Sequence, residues 1–222
     1  MPHQLSKSKY IRGLQCDRAL WLDVHAPRLA RYTAEQMRRF DYGRDFEHEY
    51  KSTYPDGIDV SAVLGRNVDR YPAYTEELIK EKSEVVIFEA GFIYEDVLVL
   101  ADVVCKHDDG CIDVYEIKSG TTLSDTYRRD AAIQHYVISH CQKVNKFSLV
   151  YNSPENGGFI TEELTEELKV QHTEIAQNIA SMKTIIQNTN EPETPTGAHC
   201  LEPYPCPYQK HCQMGVRQLA LF

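Results

Sequence analysis

The chain has no apolar run approaching the roughly 20 residues that a membrane-spanning helix needs. Its first ten residues, MPHQLSKSKY, lack the apolar core of a secretory signal. Both absences lead to the expectation of a cytoplasmic protein with no membrane partner. Internal repeats and low-complexity tracts are also missing, which removes repeat architectures from consideration. Positive charge is scarce: 24 Lys/Arg stand against 33 Asp/Glu, a formal charge of −9 that by itself argues against nucleic acid as a partner. The shortage is uneven, however. Residues 1–44 hold nine Lys/Arg against four Asp/Glu, a surplus of +5, so residues 45–222 carry −14. A basic N-terminal lobe on an acidic body is compatible with a local grip on phosphates, and equally with a solvated helix face.

What is present is enough for a core. At 222 residues and 42% hydrophobic content the chain supports one domain over 1–222 with a small appended lobe. Seven cysteines, an odd number, in a chain expected to stay in a reducing compartment argue against a disulfide framework and leave thiols free for metal. Cys105, Cys111 and Cys141 lie in apolar surroundings and read as small buried hydrophobes.

Periodicity predicts a helix over 6–24 and a second over 34–51, the latter with Met37, Phe40 and Phe46 inward. Loops follow over 54–74 with a short strand at 58–60, then a short helix over 75–82. Three β-branched runs separated by turn residues, including HDDG at 107–110, predict an antiparallel meander within 84–120. A helix over 125–142, a strand over 146–153 and a long amphipathic helix over 161–188 complete the reading. The Pro-rich segment 189–222 has little core of its own. The fold class is α/β with α+β character: a mixed sheet flanked by helices.

Within the meander, VYEIKSG places Glu116 and Lys118 on one side of a strand with Ile117 on the other. LVLADVV sets Asp102 inside the preceding apolar strand, where a carboxylate is costly unless paired or bound to a cation. If the two strands pair about the HDDG turn, Asp102 and Glu116 come within reach, and a divalent cation would relieve their repulsion. Lys118 could then assist a metal-bound water and stabilise charge on a pentavalent phosphate. On the helix before the sheet, GRDFEHEY offers His48 or Glu47 as a third ligand. On the helix after it, Asp130, Gln134 and Tyr136 are polar candidates in a partly apolar segment.

Cys200, Cys206 and Cys212 are spaced C-x5-C-x5-C near one end of the sequence, and Cys16 lies near the other. Four thiolates suit a 4Fe-4S cluster. Zinc would accept the same four, with His199 and His211 beside them. Either would clip an N-terminal helical lobe (1–45) to the C-terminal cysteine segment (189–222), around a sheet core over 84–153.

Together these stretches, from LQCDRALWL through LADVV, VYEIKSG and DAAIQHY to CPYQKHC, resemble the PD-(D/E)xK nucleases of the RecB-like iron-sulfur group. That group includes the CRISPR-associated Cas-type exonucleases of the adaptation module and the nuclease domain of AddB. The resemblance implies a restriction-endonuclease-like core with an Fe-S-stapled lobe. It implies Mg or Mn held by His48, Asp102, Glu116 and the carbonyl of Ile117, with Asp102, Glu116 and Lys118 catalytic. Cys16, Cys200, Cys206 and Cys212 would hold the cluster, and Gln134 and Tyr136 would contact DNA. The implied activity is metal-dependent exonucleolytic hydrolysis of DNA, at single-stranded ends, alongside CRISPR adaptation or repair proteins. A non-catalytic nucleic-acid-binding or scaffold subunit is the alternative. The family's Gly-x-x-x-His pattern would put Glu47 at the helix-borne ligand position, and its Gln-x-x-x-Tyr would fall on Ile138.

Overall fold

The computed structural model describes residues 4–153, 155 and 157–219. Among them the elements run β1 (Leu5–Ser6), α1 (Lys7–Gln15), α2 (Asp17–His25), α3 (Ala34–Lys51), β2 (Ile58–Asp59), α4 (Val60–Leu64), α5 (Tyr71–Glu81), β3 (Val85–Tyr94), β4 (Val97–Lys106) and β5 (Ile112–Lys118). There follow α6 (Asp125–Cys141), β6 (Val144–Asn152), β7 (Phe159–Glu163), α7 (Thr165–Lys169), α8 (His172–Gln187) and α9 (Gln209–Leu219). The chain divides into two compact units, one of Met1–Lys7 and Arg39–Ile175, the other of Ser8–Arg38 and Ala176–Phe222. No described helix is long and apolar enough to cross a membrane.

The first unit is mixed α/β, a seven-stranded mixed sheet flanked by helices, with strand order β2-β3-β4-β5-β6-β7 and β1 as the seventh strand, paired with β4 off this path. β3 and β4 form a hairpin whose two-residue turn, Glu95 and Asp96, has positive φ at both positions, the backbone that matches right-handed strand twist. β4 and β5 are antiparallel about the HDDG turn, and β5 and β6 are parallel, joined by α6. One face of the sheet buries Phe88, Val103, Ile117 and Val150 against Phe46 and Tyr50 of α3. Along α6 every residue from Ala131 to Ile138 is buried.

One edge of β4 positions everything that follows. β5 pairs with it only from Lys106↔Ile112 to Val103↔Tyr115, and β1 pairs with it in parallel at Leu5↔Val97 and Ser6↔Leu98. Residues 99–102 of β4 lie between the two ladders. The chain leaving β1 at Lys7 and the end of β5 at Glu116 therefore converge on Asp102.

Four local expectations are corrected. The helix expected over 6–24 is two helices, because Cys16 adopts extended backbone and caps α2. The helix expected over 161–188 begins as strand β7, paired antiparallel with β6. Beyond it the edge of β6 is satisfied by Leu164 N–H donating to the Phe147 carbonyl (2.8 Å) and Phe147 N–H to Thr165 Oγ1 (2.9 Å). These sheet bonds outweigh helical periodicity. The helix expected from residue 75 starts at Tyr71, with Pro72 in its first turn, where a missing N–H costs nothing. In α3 only Phe46 of the three expected inward residues is buried, while Met37 and Phe40 are each 48% exposed.

In the second unit, Ala19, Leu22, Tyr208 and Cys212 form a small core with Trp21 and Leu29 packed on it. Trp21 Nε1–H donates to the Asn188 carbonyl (2.8 Å). Gln15 Nε2 donates to the carbonyls of His199 (2.8 Å) and Tyr204 (2.7 Å). Hydrogen bonds thus hold a Pro-rich segment that buries little apolar surface.

Candidate active site

Asp102 sits one residue past the last β4–β5 rung, level with Glu116. Its Oδ2 accepts the Ile117 N–H at 2.7 Å, replacing the ladder bond that the diverging strands cannot make. Glu116 is 1% exposed; its Oε1 accepts from Lys118 Nζ (2.6 Å) and Lys7 Nζ (2.8 Å). Lys118 also bonds Asp130 of α6, and Lys7 Nζ is 3.6 Å from the same carboxylate oxygen. The pair flanking Ile117 thus shares one side of the sheet, as alternation requires, while Ile117 itself is buried in the opposite core.

Of the two candidates on α3, Glu47 rather than His48 faces the other carboxylates. At about 100° per residue, Phe46 and Tyr50 point into the core, Glu47 lies beside them, and His48 is about 200° from Phe46. His48 is accordingly exposed. Carboxylate oxygens of Glu47, Glu89 and Asp102 all lie within 4.8 Å of one another. Lys51, one turn along from Glu47, bonds both Glu47 and Glu89, the latter at 2.6 Å.

Glu89 was not among the sequence candidates. It sits in β3 where the register passes from Phe88↔Val103 to Ala90↔Ala101, opposite Asp102, with φ of 54°. A positive φ is unusual and strained for a non-glycine residue. The signal that exposes Asp102, a carboxylate inside an apolar strand, is equally present in VIFEAG.

Charges in this network shift one another. Burial pushes the Asp102 carboxyl well above its ordinary range, and the neighbouring Glu116 adds to the effect. Burial also raises Glu89. Burial alone would raise Glu116, but Lys118 and Lys7 outweigh it and hold this carboxyl well below its usual value. Burial opposes the charge on Lys118, yet Asp130 and Glu116 dominate and keep it an ammonium. Five carboxyl groups (Glu47, Glu89, Asp102, Glu116, Asp130) and three amines (Lys7, Lys51, Lys118) make up the network. Fully ionised, it would carry −2, the charge that one divalent cation neutralises. Glu116 Oε2 is buried and has no hydrogen-bond partner among the described residues. Glu116 itself is not one of the three carboxylates that converge within 4.8 Å, although it stands level with Asp102 on the neighbouring strand; three converging carboxylates are a feature expected of a cation site.

The expected nucleic-acid contacts stand differently. Gln134 is 0% exposed, with neither side-chain polar atom partnered among the described residues. Tyr136 is 4% exposed and its hydroxyl donates to Glu95 Oε2 (3.3 Å). Both lie in a stretch of α6 in which every residue from Ala131 to Ile138 is buried.

In the second unit, Cys16, Cys200, Cys206 and Cys212 line a single pocket together with Arg18, His199 and Gln209. Burial raises the thiols of Cys206 and Cys212. Arg18 and His211 both bond Glu191 beside the pocket. Of the remaining cysteines Cys111 is buried, and Cys105 and Cys141 are half-buried.

No protein-family model and no curated protein matches the chain. Among solved structures, the chain is similar to one described as "Crystal structure of SSO0001". The TM-score is 0.34 and the identity 17%, over 84% of this chain and 78% of that one.

Proposed function

We propose that the chain is a metal-dependent DNA nuclease of the PD-(D/E)xK type, acting as an exonuclease on single-stranded ends. The observation that carries this reading is the convergence of the Glu47, Glu89 and Asp102 carboxylates, with Asp102 bonded to the strand that carries Glu116, whose Oε2 is buried and unpartnered among the described residues, and Lys118. Mg or Mn would be held by Asp102 and Glu116 with Glu47, rather than His48, from α3, and Glu89 added from β3. Such an ion supplies a Lewis acid for the phosphate and makes its bound water more acidic.

The chain's own groups do the rest. Lys118, kept cationic by Asp130 and Glu116, is an electrostatic partner for charge building on the phosphate oxygens as water adds to phosphorus and the P–O bond breaks. Being an ammonium, it is a proton donor rather than a base. Asp130 positions it by fixing Nζ on the face that Glu116 occupies.

The donor set of the second unit, four cysteines around one pocket, fits a 4Fe-4S cluster with one thiolate per iron. Zinc, with His199 as a further candidate, would need these donors to draw closer, since among the described residues no three of them lie within 4.8 Å of one another. Either would bind residues of α1–α2 and of the Pro-rich segment into one body, supplying stability that this segment's burial does not.

The deciding experiment is degradation of end-labelled single- and double-stranded DNA by anaerobically purified protein with Mn, beside Lys118→Ala. Metal-dependent loss of DNA by the wild type alone is expected, with a product ladder that reports the attacked end. A folded, metal-loaded wild type that binds DNA without cutting it would instead identify a non-catalytic binding subunit.

A further inference from the structure

We propose that Lys7 is a phosphate-binding residue of this site, holding the substrate's backbone beside Lys118; the role rests on the nuclease reading above. Lys7 lies between 40 (Glu47) and 123 (Asp130) residues from the other site groups in sequence, and topology brings it there. Backbone N–H groups of Gln4 and Leu5 donate to the Asp96 carbonyl (2.9 and 3.1 Å), and Leu5 is fully buried. Ser6 is in register with Leu98, so the next residue is delivered along β4 towards Asp102. Nζ of Lys7 then shares Oε1 of Glu116 with Nζ of Lys118.

Two ammonium groups on one carboxylate oxygen are more than that carboxylate needs. The two are not equivalent: Lys118 is bonded to Asp130 as well, whereas Lys7 stands 3.6 Å from Asp130, beyond hydrogen-bond distance. Lys7 has one close partner among these two acids, its side chain is 24% exposed, and it sits where the chain leaving β1 approaches the end of β5. A phosphate diester carries one negative charge and strong acceptor oxygens. Here it meets an ammonium held in place from its backbone side and open on its other. Lys118 is thereby left to the reacting oxygens and Lys7 to the non-reacting ones.

The test is steady-state cleavage of a labelled single-stranded oligonucleotide with Mn by wild type, Lys7→Ala and Lys7→Arg, together with metal-free binding of the same oligonucleotide across a salt series. For Lys7→Ala, KM is expected to rise about tenfold while kcat changes by less than about threefold. The slope of log affinity against log salt is expected to flatten by about 0.7, the value of one lost single-strand phosphate contact. Lys7→Arg is expected to restore both. Unchanged KM and salt slope in Lys7→Ala with an active wild type would overturn the assignment to Lys7 alone, as would a lowered Tm with KM intact. A wild type that neither binds nor cleaves would overturn the nuclease reading and this role with it.

Discussion

The Ile117 N–H donates to Oδ2 of Asp102 across 2.7 Å, at the point where β4 and β5 stop pairing. This carboxylate has a structural task and, on the proposed function, a chemical one, and two substitutions separate them. Asp102→Asn keeps an acceptor for the N–H and is expected to fold with near wild-type stability while losing Mn-dependent cleavage. Asp102→Ala is expected to lose cleavage and, in addition, about 1–3 kcal/mol of stability in urea unfolding, because the N–H is orphaned. Equal stability of the two variants would show that the hydrogen bond contributes nothing.

Glu89 is placed by a strained backbone opposite Asp102, within reach of Glu47. Titration calorimetry with Mn is expected to show affinity reduced at least about tenfold in Glu89→Gln and in Glu47→Gln. His48→Ala, altering an exposed side chain, is expected to bind as wild type. A weakened His48 variant beside intact Glu47 and Glu89 variants would return the ligand role to the histidine.

The four-cysteine pocket predicts a separable stabilising module. Cys206→Ser is expected to lower metal content, abolish any visible chromophore and reduce Tm by roughly 5 °C or more. Cys105→Ser, altering a thiol away from that pocket, is expected to leave metal content unchanged. Elemental analysis of the same samples distinguishes iron from zinc.

His135 sits fully buried on α6 with its Nδ1 2.9 Å from Nε2 of His172. Burial, then His172, then Lys169 lower its pKa to about 4, and burial lowers His172 as well. Between the ordinary value near 6.5 and about 4 the unfolded chain binds a proton that the folded chain refuses, so stability falls as pH falls through that window. The loss from pH 7.5 to 4.5 is expected to be on the order of 2 kcal/mol by urea unfolding. His135→Gln is expected to flatten this part of the profile, and an unchanged slope would assign it to other groups.

The sequence alone determined what local pattern controls. Alternation in VYEIKSG put Glu116 and Lys118 on one side of a strand, the HDDG turn set the β4–β5 hairpin, and an acid inside an apolar run exposed Asp102. The spacing of four cysteines picked out residues that line one pocket. Interactions between residues distant in sequence were not legible. Only pairing of Ser6 with Leu98 brings Lys7 to Glu116, and only the rotation of α3 on the sheet chooses Glu47 over His48. The burial of Gln134 and Tyr136 was likewise not legible, because neighbours distant in sequence pack on every side of this part of α6. The same holds for β7, whose last residues were read as the start of the 161–188 helix: the open edge of β6 offers them backbone hydrogen bonds. Charge was the least readable of all, since neighbours and depth, neither of them local, decide that the Asp102 carboxyl is pushed up while that of Glu116 is held down.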